Sequence, residues 1–175
     1  MKEVLGCIRR CDKDFGLIQA GDTVCVGVSG GKDSLLLLYA LSLYRKFEHK
    51  NFELRGIMLD MGFEAFDASS VMRWCEELNI PFDVIQTDIA KVVFDLRKEN
   101  NPCSLCAKMR RGALNDAAKR LGCNKVALGH HREDAIETLM MSLIFEGRLH
   151  TFHPNMFLLG ADVTVIRPMV YVPEK

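Results

Sequence analysis

The chain has 175 residues, 49% of them hydrophobic, with 23 Lys and Arg against 23 Asp and Glu, so its formal net charge is zero. That is enough apolar material for one domain with a substantial core, and it excludes wholesale disorder. No apolar run approaches the roughly 18 residues of a membrane span, and the opening "MKEVLGCIRRCDKD" lacks a secretory apolar stretch, so the expectation is a cytoplasmic protein with no membrane partner.

In chain order, Thr23–Ser29 reads as a first strand and Ser34 to about Tyr44 as the helix after it. Phe52–Asp60 gives a second strand, a helix follows near Ser69–Leu78, and Phe82–Gln86 is a third strand entered through Pro81. After a less regular stretch, Ser104 starts a helix reaching Leu121, with Leu105, Met109, Ala113, Ala117 and Leu121 on one stripe. Lys125–Leu128 is a fourth strand. From about Glu133 to Phe145, Ala135, Ile136, Leu139, Met140, Leu143 and Ile144 mark one buried helix face, and Val163–Arg167 is a fifth strand. This alternation predicts an α/β fold over residues 1–175, a single domain with an open parallel sheet and helices on both faces, preceded by an N-terminal helix. In such sheets ligands bind beyond the carboxyl ends of the strands. Strand one delivers Ser29 and its loop, strand two Asp60, Met61 and Gly62, and strand four Gly129, His130 and His131.

The stretch "VCVGVSGGKDSLLLLYALSL" turns from strand to helix through two glycines, which lets backbone N–H groups and a helix N-terminus point at an anion. Its spacing fits neither the P-loop of kinases and GTPases nor a dinucleotide fingerprint. A carboxylate at Asp33, beside a bound phosphate, would repel it unless Mg²⁺ lay between them, so Asp33 reads as a metal ligand. Ser29-Gly30-Gly31-Lys32-Asp33-Ser34 resembles the signature of the PP-loop ATP pyrophosphatases, which implies cleavage of the α–β bond of ATP. The plain alternative is a glycine turn before a core helix.

In "NPCSLCAKMRRG", Cys103 and Cys106 lie at a helix start near Lys108, Arg110 and Arg111, a setting that favours thiolate. The chain has seven cysteines, an odd number without an export signal, which points to thiols, metal ligands or redox chemistry rather than a disulfide scaffold. A lone C-x-x-C is compatible with a redox pair, half of a zinc site, part of an iron–sulfur site, or two unpaired thiols. From Arg97 to Arg132 nine Lys and Arg stand against Glu99 and Asp116, an excess of seven able to contact RNA phosphates or simply to face solvent.

In "VALGHHREDAIETL" a strand ends at Gly129, where close approach to phosphate is possible, and Glu133 or Asp134 could reach Mg²⁺ or the acceptor base. Alternatively Asp134 caps the helix and the histidines fill the loop.

Together, "DFGLIQAGDTVCVGVSGGKDS", "PCSLCAKMRRGAL", "ALGHHREDAIETL" and "VIRPMVYVPEK" resemble the tRNA 2-thiocytidine synthetase family, PP-loop enzymes of the Rossmann-like adenine nucleotide alpha-hydrolase fold. The resemblance runs from about Cys11 to Lys175. It implies ATP- and Mg²⁺-dependent thiolation of a cytidine in the tRNA anticodon loop, with a [4Fe-4S] cluster at the cysteine pair. Ser29, Gly30, Gly31, Lys32, Asp33 and Ser34 would bind pyrophosphate and Mg²⁺, and Asp60, Gly129 and His130 would line the ATP site. Cys103 and Cys106 would hold the cluster, Asp134 would assist at the reacting centre, and Lys108, Arg110 and Arg111 would meet RNA. Implied partners are tRNA, a sulfur donor such as a cysteine desulfurase, and a second copy in a homodimer. Members of the family continue past the "VPEK" region into a segment with a third cluster ligand, and here the sequence stops at Lys175. Of the remaining cysteines, none is expected near the active edge: Cys25 and Cys123 belong to the strand region, Cys75 to mid-helix, and Cys7 and Cys11 to the far edge. Two other readings share these features: a 2-thiouridine synthetase, and an iron–sulfur sensor that binds nucleotide without thiolating.

Overall fold

The structure, a computed structural model, describes residues 1–47, 50–63, 65–97 and 102–174. Five α-helices and six strands follow in the order α1 (Lys2–Phe15), β1 (Thr23–Val28), α2 (Lys32–Phe47), β2 (Glu53–Asp60), α3 (Ser69–Glu77), β3 (Phe82–Gln86), α4 (Pro102–Arg120), β4 (Lys125–Ala127), α5 (Arg132–Met141), β5 (Asn155–Leu158) and β6 (Val163–Ile166). π-helical turns cover Lys91–Arg97 and Ser142–Glu146.

The sheet order is β3-β2-β1-β4-β6-β5, parallel throughout except for the antiparallel β5–β6 pair. β1 lies at the centre, with Thr23 beside Glu53 on one flank and Val24 beside Lys125 on the other. Its residues are apolar on both faces because helices cover both. Ile8, Leu17, Leu37, Leu41 and Leu54 form the core on one side with Val24, Val26 and Ile166, where α1, α2 and α3 pack. Ala117 and Ala118 of α4 close the other side over Cys25, Ile57 and Val126. Buried Asp12 fastens α1 into this frame: its carboxylate accepts the Ile18 N–H (2.9 Å), the Tyr44 hydroxyl (2.6 Å) and the Lys50 ammonium.

Two details differ from the expected α/β fold. The parallel sheet gains an antiparallel edge, β5, whose four residues follow Pro154 and are too short to stand out as a run. The face of α5 marked as buried is in large part exposed: Ile136, Met140, Leu143 and Ile144 all face outward, and Phe145 is 78% exposed. The apolar period correctly marks a helix with an apolar side, but much of that side faces solvent.

Candidate active site

β1 ends at Val28, and the chain turns at Gly30, whose φ of +81° lies in the left-handed region that glycine alone adopts without strain. The Ser34 hydroxyl holds the turn from inside, accepting the Ser29 N–H (3.1 Å) and donating to the Gly31 carbonyl (2.9 Å). Ser34 is buried, and its side chain shapes the loop from inside. Ser29, Gly30, Gly31 and Lys32 are exposed, and α2 begins at Lys32, so the loop presents the start of a helix to solvent.

Asp33 stands in the first turn of α2, with Oδ1 3.7 Å from His131 Nε2 and 4.0 Å from Lys32 Nζ. These distances exceed hydrogen-bond length, so the carboxylate keeps lone pairs for a cation. Gly129 faces the same spot from β4: a Cβ there would come 3.1 Å from the Asp33 carbonyl oxygen and 3.3 Å from the Ser34 nitrogen. The close approach expected of Gly129 is therefore to the main chain of α2. It is what allows the β4 loop and the phosphate loop to sit side by side.

The acidic pair after the histidines is engaged locally. Asp134 Oδ2 accepts the His131 N–H at 2.6 Å, capping α5, as the plain alternative anticipates. The Glu133 carboxylate accepts Arg132 through Oε1 (2.9 Å) and the Glu174 N–H through Oε2 (2.7 Å). Glu174 in turn accepts the Lys32 ammonium at 2.7 Å, and Arg132 N–H donates to the Val172 carbonyl at 3.1 Å. The tail thus laces the α5 start to the phosphate loop. Neither Lys32's partner nor this strap was legible beforehand, although "VPEK" belongs to the motif that carries the resemblance.

Asp60 closes its own turn, Oδ1 accepting the Gly62 N–H at 2.9 Å, while its carbonyl accepts Thr87. His130 packs its ring 5.0 Å from Phe152, and burial, followed by the nearby Arg167 charge, lowers its pKa. Cys103 is exposed and Cys106 half-buried on the first turn of α4, which runs antiparallel to the strands, so the pair lies at the same edge as the loop. Lys108, Arg110 and Arg111 are exposed along the same helix, whereas Lys98, Glu99 and the side chain of Arg97 lie outside the described residues. Among the described residues no three His, Cys, Asp or Glu side chains converge on one metal position. One expected placement is corrected: buried Cys11 is not at the far edge, since its thiol lies 3.8 Å from the Arg167 carbonyl, just past the carboxyl end of β6. Burial pushes that thiol up to about 12, which keeps it protonated.

A parallel sheet with a glycine-turn phosphate loop at the carboxyl end of its central strand defines a nucleotide-binding α/β protein. The chain belongs to the PP-loop domain family, whose model matches residues 8–175. It is 38% identical over 175 residues to the tRNA-cytidine(32) 2-sulfurtransferase of Geobacter sulfurreducens, covering 99% of this chain and 68% of that protein. It is 40% identical over 163 residues to the protein of the same name from Citrifermentans bemidjiense, covering 93% and 64%. The chain therefore spans about two thirds of the length of these relatives. Among solved structures, the U34-tRNA thiolase NcsA from Methanococcus maripaludis with its [4Fe-4S] cluster superposes with a TM-score of 0.75 at 29% identity, over 97% of this chain and 59% of that one. The NH3-dependent NAD synthetase of Campylobacter jejuni, at 16% identity and a TM-score of 0.54, shares the fold. No helix among the described residues is long and apolar enough to cross a membrane.

Proposed function

We propose that this chain is the ATP-binding part of a tRNA sulfurtransferase that activates the C2 oxygen of a cytidine in the anticodon loop with ATP and replaces it with sulfur. The observation that carries the reading is the meeting of two features on one sheet edge. An exposed phosphate loop with Asp33 in its helical turn lies at the end of β1, and the Cys103/Cys106 pair opens α4 at that same edge. The relatives' names support cytidine as the target.

The cytidine C2 oxygen attacks the α phosphorus of ATP, the α–β bond breaks, and pyrophosphate leaves. Hydrosulfide, released when an external thiol reductant supplies two electrons to cleave the persulfide S–S bond of a donor such as a cysteine desulfurase, then bonds to C2 and gives up its proton, and AMP departs with the former base oxygen. The Ser29–Gly31 loop and the first turn of α2 would hold the β and γ phosphates, with the Lys32 ammonium beside them. The Asp33 carboxylate suits Mg²⁺, which would neutralise charge on the phosphates. His131, the N-cap of α5, stands 3.7 Å from that carboxylate, at the same spot. Two cysteines two residues apart on one helical turn suit two thiolate corners of an iron–sulfur cluster, which would present sulfur to the activated base. A tRNA substrate and free thiols fit a cytoplasmic setting.

Mass spectrometry of tRNA nucleosides from a deletion strain tests this. Loss of 2-thiocytidine is expected, and unchanged 2-thiocytidine would remove the assignment. The likeness to a U34 thiolase favours a second reading, 2-thiouridine formation, for which loss of 2-thiouridine would be the signature.

A further inference from the structure

Two buried nitrogens on the carboxyl edge have no hydrogen-bond partner among the described residues: His130 Nδ1 and Arg167 Nε. They belong to adjacent parallel strands. Ala127 pairs with Ile166, and the Leu128 N–H donates to the Ile166 carbonyl at 3.0 Å, so His130 and Arg167 emerge side by side just past the sheet. Phe152 separates them, its ring 5.0 Å from that of His130 and 4.7 Å from the Arg167 guanidinium carbon. Arg167 is oriented through Nη1, which donates to the His153 carbonyl at 2.6 Å. Its other edge, Nε with Nη2, donates no hydrogen bond to a described residue, and that fork is the geometry that grips a phosphate with two hydrogen bonds. No described carboxylate bonds to Arg167. Burial, followed by the charge of a second cation, Arg111 of α4, depresses its pKa. Holding two arginines together without an acid is unfavourable until an anion joins them.

Position indicates which anion. In the order β1-β4-β6, Arg167 stands two strands from the phosphate loop, about 9–10 Å at the usual strand spacing. It also lies on the flank opposite to β2 and its Asp60–Gly62 turn. The pyrophosphate belongs at β1, so the anion at β6 belongs to the acceptor. We propose that Arg167, aimed by Phe152 and His153 and seconded by Arg111, receives a backbone phosphate of the RNA beside the nucleotide to be modified. This rests on the tRNA-modifying reading and assigns a residue to it. Because Nε is covered in the resting chain, engagement shifts the Phe152–His153 segment enough to uncover it.

The test measures binding of an unmodified tRNA transcript across a salt series, and of ATP at fixed salt, for the full chain and its Arg167→Gln and Arg167→Lys variants. For Arg167→Gln, tRNA affinity is expected to fall about tenfold and the log–log salt slope to become shallower by about 0.7–0.9, with ATP affinity within about twofold. Arg167→Lys keeps the charge but not the fork, so it should keep the slope while losing part of the affinity. That variant also keeps the proposal testable if the glutamine form misfolds. Unchanged tRNA affinity and slope would make Arg167 structural. A loss of ATP affinity with the tRNA slope intact would assign the phosphate to the nucleotide, and either outcome overturns the proposal. A wild-type chain with no tRNA affinity would instead bring down the tRNA-modifying reading itself, and this assignment with it.

Discussion

The Lys32 ammonium donates a 2.7 Å hydrogen bond to Glu174, tying the phosphate loop to a residue 142 positions further along the chain. The pairing raises the Lys32 pKa and lowers that of Glu174, so the contact persists through neutral pH and is lost on acidification only as pH falls through the lowered Glu174 value. Both side chains are largely exposed, and an exposed pair adds little stability. Glu174→Gln is therefore expected to move Tm by less than about 2 °C. Lys32→Met, which removes a charge-assisted donor to phosphate, should weaken ATP binding about tenfold or more. Calorimetric titration with ATP checks the second, and a melting curve the first.

Asp33 is partly exposed and carries no short hydrogen bond, so nothing in the fold depends on its carboxylate. Asp33→Ala should lower tRNA-stimulated pyrophosphate release about a hundredfold or more, while the unfolding free energy from urea titration stays within about 0.5 kcal/mol of wild type. Full pyrophosphate release from the variant would remove Asp33 from the catalytic machinery.

Gly129→Ala places a methyl group 3.1 Å from the backbone of Asp33, where neither chain segment can retreat freely. A loss of about 1–3 kcal/mol in unfolding free energy is expected from this overpacking. Pyrophosphate release should drop with it, because Asp33 is displaced. A stable, fully active variant would show that the two loops tolerate separation.

His130 is held neutral by burial, its pKa pushed below the ordinary value of 6.5. A histidine that protonates more readily in the unfolded chain stabilises the fold above its unfolded value, and that stability is lost as pH falls from there through the lowered folded value. Tm should decline on going from pH 7 toward pH 5. In His130→Asn the decline should be flatter, and parallel Tm profiles for the two proteins would assign the acid sensitivity elsewhere.

Much of the architecture was readable because strand length and helical period differ so strongly around β1, β2, β3 and α4. The phosphate loop was equally visible, since glycines between an apolar strand and a leucine-rich helix leave few other geometries. What escaped depended on distant partners. The apolar side of α5 obeys the helical period whether or not anything covers Ile136 and Ile144, so periodicity alone could not place it. The motif also does not show that the Ser34 hydroxyl closes its own loop, bonded to Ser29 and Gly31 five and three residues back. Glu133 is met by the returning tail, a contact between residues 41 apart. Arg167 gave no signal beyond lying in "VIRPM", because its meaning comes from Phe152 and His130.

The central position of β1 also governs when the site can exist. β1 finds one neighbour, β2, soon after it is made, but its other neighbour is β4, and the Thr23 N–H that opens the strand bonds to Asn124, 101 residues later. At about 5–20 residues per second of synthesis, roughly 5–20 seconds separate the emergence of these two segments from a ribosome. During that interval the phosphate loop is present in sequence while the strand behind it has an open edge and Gly129 has not arrived to support Asp33. Nascent chains arrested before residue 125 should therefore lack ATP binding, and the half-built sheet, with an apolar strand edge exposed, should be the species most in need of a chaperone.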